Sequence, residues 1–126
     1  MEKIIIGKNL LEKINKLFDF SKFSKIAVLT DENIQISLMN KISLIKKSLN
    51  RKLVMITIPP GENEKNIETI KIIWKKMFEM ELDRKSLLIN LGGGVICDMG
   101  GFAASTFMRG NEFINIPTTL LAQVDA

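Results

Sequence analysis

Histidine and tyrosine are absent from this chain of 126 residues, and cysteine occurs once, as Cys97. With one thiol and no imidazole the chain can form neither an internal disulfide nor an ordinary Cys/His zinc site, so any metal would need ligands from elsewhere. Long hydrophobic runs are missing as well. The purely apolar stretches are as short as Ile4 to Ile6 and Leu87 to Ile89, far below the roughly 20 residues that cross a bilayer. No membrane span is expected. The start, Met1 to Leu11, carries an acid at Glu2 and no small-residue cleavage site behind its short apolar run, which argues against a secretory leader and for a cytoplasmic protein.

A net charge of +4 and a pI near 9.3 raise the question of nucleic acid, which would need clustered lysines and stacking aromatics. Lys46, Lys47, Arg51 and Lys52 form the densest group, but Lys3, Lys8, Lys22, Lys71 and Lys85 are scattered. Solvated helix faces explain them, and no nucleic-acid partner is expected.

What is present is a hydrophobic content of 46%, enough for one domain with a real core and too little chain for two. Strand and helix patterns alternate. Lys3 to Ile6 reads as a short strand, and Leu10, Ile14, Leu17 and Phe18 recur at helical spacing. Lys25 to Thr30 reads as a buried strand, and Ile34, Leu38, Ile42, Ile45 and Leu49 share one helical stripe. Leu53 to Ile58 is the next strand, ended by Pro59, Pro60 and Gly61. Ile67, Ile70, Trp74, Met77 and Phe78 make another stripe, Ser86 to Leu91 another strand, and Glu112 to Ile116 a last one before Pro117. Apolar strands separated by amphipathic helices predict a doubly wound α/β domain with a mostly parallel sheet and right-handed crossovers. Ligands of such sheets bind beyond the carboxyl ends of the strands. Asp31 to Asn33, Pro59 to Glu62, Gly92 to Gly94 and Pro117 to Thr119 occupy those places.

Glycines between a strand and a helix let a phosphate approach the backbone and the helix's positive end, the role open to Gly92 to Gly94. A tight strand-to-helix turn explains them equally well. Asp98 is placed by the pattern in the first helical turn, as a cap or as a hydrogen-bond acceptor for a ligand hydroxyl. Gly100 and Gly101, costly inside a helix, imply that something approaches it closely, with helix-to-sheet packing the readier explanation.

The stretch Leu91 to Ala126, LGGGVICDMGGFAASTFMRGNEFINIPTTLLAQVDA, resembles 3-dehydroquinate synthases throughout. Asp31-Glu32-Asn33 and Pro60-Gly61-Glu62-Asn63-Glu64-Lys65 resemble the same family's nucleotide-contact segments. The resemblance implies a Rossmann-like NAD-binding domain over residues 1–126. It implies an enzyme, a lyase that oxidises a substrate alcohol with tightly held NAD, eliminates phosphate, returns the hydride and closes a ring. Its sugar phosphate substrate would be 3-deoxy-D-arabino-heptulosonate 7-phosphate and its product 3-dehydroquinate, in the shikimate pathway to aromatic amino acids. A divalent metal, zinc or cobalt, would polarise the oxidised alcohol. By position, Asp31 and Asn33 would contact the adenosine side of NAD, or else cap the following helix. Gly61, Glu62 and Lys65 match the P-x-G-E-x-x-K segment, the acid and base otherwise being a surface pair. Gly93, Gly94, Val95 and Asp98 match the pyrophosphate and nicotinamide-ribose segment, and Thr118 and Thr119 its second wall or a helix cap. Arg109 would meet the substrate's anionic groups, or serve as a helix C-terminal cation, and Asp125 would contact substrate.

Cys97 departs from the family's G-G-G-V-x-G-D run, where glycine is usual. The family's glycine and lysine segment and its C-terminal helical domain, with a Glu and two His as metal ligands, would lie beyond Asp125. The chain is therefore expected to be an incomplete part of the family enzyme, inactive alone, marginally folded, and a homodimer in its full-length form. A related sugar phosphate cyclase and a non-catalytic NAD-binding module are the alternatives.

Overall fold

The computed structural model describes residues 2–4 and 19–118. Five strands form one parallel sheet: β1 (Glu2–Ile4), β2 (Ile26–Asp31), β3 (Leu53–Ile58), β4 (Leu87–Gly92) and β5 (Glu112–Pro117), in the order β1-β5-β4-β2-β3. The helices are α1 (Glu32–Ser37), α2 (Met39–Leu49), α3 (Ile67–Glu79) and α4 (Gly94–Thr106). Alternation along the strands divides the interior into two cores. Ile26 and Val28 of β2 join Leu87, Ile89 and Leu91 of β4 and Ile114 and Ile116 of β5 against Ile45 and Leu49 of α2. Ala27, Leu29, Leu88 and Phe113 face the other way, onto Ile70, Ile73 and Met77 of α3 and Ile96, Met99 and Ala103 of α4. Helices thus cover both faces, as the apolar strand runs require, and the fold is a doubly wound, Rossmann-like α/β fold. Among the described residues no helix is long and apolar enough to cross a membrane.

Three sequence expectations are corrected. The stripe from Ile34 to Leu49 is broken at Leu38 (φ −111°, ψ 22°), separating α1 from α2. No glycine or proline causes the break. Tertiary contacts set it instead, for α1 is fixed at its start by the Asp31 cap and held to β3 by Thr57 Oγ1 donating to Gln35 Oε1 at 2.6 Å. The buried stripe of α3 runs through Thr69, Ile70, Ile73 and Met77, while Phe78 is 74% and Ile67 51% exposed. Third, α4 starts as early as Gly94, so Asp98 begins its second turn and no acid occupies the first. The predicted helix through Leu10, Ile14, Leu17 and Phe18 lies outside the described residues.

The chain goes from β2 outward to β3, then returns to lay β4 on the other side of β2 and β5 beyond it. The carboxyl ends of β2 and β4 therefore diverge at a topological switch point, where a crevice must open. Thr30 Oγ1 donates to the Leu91 carbonyl at 2.8 Å and ties the two strands together just beneath that opening.

Candidate active site at the sheet's carboxyl edge

Asp31 ends β2 and caps α1, one carboxylate oxygen accepting from the Ile34 amide at 2.8 Å. The cap uses one oxygen only. Asn33 is exposed in the first turn of α1. Beyond β3, the prolines lead to Gly61, whose φ of 113° only glycine adopts without strain. That turn swings Glu62 to Glu64 into a short 3-10 turn and brings Lys65 back over the end of the sheet.

Lys65 feels the charge of Glu62 only as a lesser influence. Its Nζ donates to Asp98 Oδ2 at 2.9 Å, joining the loop after β3 to the second turn of α4. That hydrogen bond, reinforced by the aspartate's charge, raises the lysine above its ordinary value of 10.5. Two residues singled out separately in the sequence are thus one ion pair across the mouth of the crevice.

Gly93 caps α4 without a side chain, and the first intrahelical bond is the Cys97 amide donating to the Gly93 carbonyl at 3.0 Å. The N–H groups of Gly94, Val95 and Ile96 precede that bond and have no carbonyl of their own helix to reach. A Cβ built on Gly93 or Gly94 would meet nothing within 4 Å. Open space, uncapped amides and the positive end of a 13-residue helix coincide, which is the environment a phosphate needs. The nucleotide phosphates therefore fit these residues. A metal is not placed by them: among the described residues no three Cys, Asp or Glu side chains gather at one point.

The β4–β5 register pairs Gly92 with Pro117, so Gly93 and Thr118 each follow the last paired residue of their strand. Thr119 and Asp125 lie outside the described residues. Cys97 turns its Sγ toward the Gly92 carbonyl at 3.9 Å. Arg109 is not with the others. It is exposed at the amino edge of the sheet, after α4 has run back roughly 20 Å, in a left-handed conformation with φ 71°.

Sequence reasoning missed Asn90 and Asn115. They are buried, in register on adjacent strands, and joined by Asn90 Nδ2 donating to Asn115 Oδ1 at 3.0 Å. The signal was available as an asparagine interrupting each of two successive apolar strands.

Residues 55–126 match the 3-dehydroquinate synthase N-terminal family. The chain is 45% identical over 126 residues to the 3-dehydroquinate synthase of Clostridium botulinum, covering 98% of this chain and 35% of that protein. It is also 45% identical over 128 residues to the bifunctional 3-dehydroquinate synthase/phosphatase of Fusobacterium nucleatum, covering 99% of this chain and 18% of that protein. The chain thus spans about a third or less of these relatives' length. A 2-deoxy-scyllo-inosose synthase solved with carbaglucose-6-phosphate, NAD+ and Co2+ has the same fold, with a TM-score of 0.81 at 20% identity over 91% of this chain and 32% of that one.

Proposed function

Because this chain belongs to the 3-dehydroquinate synthase family, we propose that it is the NAD-holding part of an enzyme of the shikimate pathway. That enzyme converts 3-deoxy-D-arabino-heptulosonate 7-phosphate into 3-dehydroquinate by phosphate elimination and ring closure. What supports this reading is the meeting of Lys65 with Asp98 beside the uncapped start of α4, at the sheet edge where Asp31 ends β2. NAD, when bound, accepts a hydride from the substrate alcohol and later returns it.

The chain's own residues bind and orient. The amides of Gly94, Val95 and Ile96 donate to the pyrophosphate, and Gly93 leaves room for it. Asp31 offers its second carboxylate oxygen to a ribose hydroxyl, with Asn33 and the Gly61-Glu62 turn flanking the adenosine side. Lys65 holds Asp98 toward the nicotinamide ribose, and Thr118 and Thr119 close the opposite wall. Arg109 can meet the substrate's anionic groups only if its edge faces a site completed by other residues, and Asp125 is assigned to substrate as well. The zinc or cobalt of the family is not assigned to the described residues. The full-length protein is taken to be a cytoplasmic homodimer.

A second reading, another sugar phosphate cyclase with the same cofactor chemistry, is favoured by the fold shared with the 2-deoxy-scyllo-inosose synthase. Phosphate release from the heptulosonate phosphate, against release from other sugar phosphates, separates the two in a chain that carries the rest of the enzyme. For the cofactor assignment, NAD added in excess to the purified chain should raise its unfolding temperature by ligand linkage. An unfolding temperature indifferent to NAD would overturn the assignment.

A further inference from the structure

We infer that Asn90 is a positioning residue for the phosphate cradle, acting as a fixed stop beneath α4 that sets the height of its N-terminal amides. The inference rests on reading Gly93 to Val95 as that cradle. Asn90 is fully buried in the middle of β4 on the face covered by α4. Its Nδ2 is held by Asn115 Oδ1, in register on β5, while its Oδ1 is buried with no partner among the described residues. A Cβ on Gly100 would lie 1.9 Å from that oxygen and 2.4 Å from Asn90 Cγ. Helix α4 therefore rests on the Asn90 amide through a bare Cα. One residue on, a Cβ on Gly101 would come 3.2 Å from Phe113 Cζ, so paired glycines seat the helix on both β4 and β5.

Neither partner can yield easily. Rotating the Asn90 amide would break its bond to Asn115 inside a packed core. The helix runs unbroken from Gly94 to Thr106, so Gly100 and the cradle, about 9 Å apart along the axis, move together. A substituent at position 100 would lift the amides from where Asp31 and Thr118 expect the ligand.

The test uses G100A, N90A and the double variant, with two readouts. The amide resonances of Gly93 and Gly94 report the cradle without ligand, and NAD titration well below the unfolding temperature reports affinity of the folded protein. G100A is expected to move both resonances and weaken NAD about 10- to 100-fold, the loss expected when hydrogen bonds to a charged group are stretched out of range. N90A/G100A is expected to restore the resonances and return affinity to within about twofold of the parent. Unmoved resonances in folded G100A, or moved resonances with unchanged affinity, would overturn the inference. If G100A does not fold, the double variant decides: native-like glycine resonances support the stop, and failure to fold or displaced resonances reject it. Should the parent chain bind no NAD, the proposed function fails, while the resonances still decide whether Asn90 positions α4.

Discussion

The carboxylate of Asp31 caps α1 through one oxygen and keeps the other free of protein partners among the described residues. The two uses can be separated by Asp31→Ser, which retains a good N-cap. Its stability should stay within about 0.5 kcal/mol, since serine and aspartate cap almost equally, while NAD affinity falls because the shorter side chain cannot span to the ribose. Equal affinity would leave Asp31 with capping alone. At the opposite edge, Asp83 accepts from Ser24 Oγ at 2.6 Å and from the Lys85 amide at 2.9 Å, and these bonds, the Ser24 hydroxyl first, hold its pKa below the ordinary carboxylate value. A lowered folded-state value means that its contribution is present above the ordinary carboxylate value of about 4 and is lost as pH falls through the folded one. Asp83→Asn should therefore lower the unfolding temperature at neutral pH, and its difference from the parent should shrink below about pH 4. A difference independent of pH would contradict that account.

Strands β2, β3 and β4 lead their following segments to the same edge, and the central strand β4 does so through a fully buried body. Ile73 of α3 and Ile89 of β4 are both 0% exposed and belong to opposite cores. Ile89→Ala and Ile73→Ala should each cost about 2 to 5 kcal/mol in chemical denaturation. Loss of Ile73, which backs α3 away from the glycines, should leave NAD affinity of the folded protein unchanged. The strands and the wound order were legible because continuous apolar runs have one reading when helices intervene. The break at Leu38 was not, since no residue there forbids a helix and only the Thr57–Gln35 contact and the Asp31 cap reveal it. Periodicity likewise admitted Phe78 to the buried stripe of α3, although a helix face spans more positions than a narrow sheet can cover.

For the molecule as a whole, the crevice residues were legible one by one, while their pairings were not. Lys65 and Asp98 are 33 positions apart, and only the Gly61 turn brings them together. Asn90 and Asn115 went unnoticed because each looks like an isolated flaw in its strand until the register joins them. The same view exposes large apolar side chains: Ile36 at 73% on α1, Met39 on α2, Phe78 at 74% on α3 and Phe102 on α4. Surfaces of this kind favour association. Light scattering from the purified chain should therefore rise with concentration, and Ile36→Lys with Phe78→Glu should reduce it while keeping the fold. A clean monomer at all concentrations would remove that expectation.

Calorimetric titration of the purified chain with NAD tests most directly whether these residues hold the cofactor. Saturable binding of one NAD per chain is predicted, weakened by Lys65→Met at an unchanged unfolding temperature because the Lys65–Asp98 pair is exposed to solvent. No heat of binding up to millimolar NAD, from a chain shown to be folded, would contradict it.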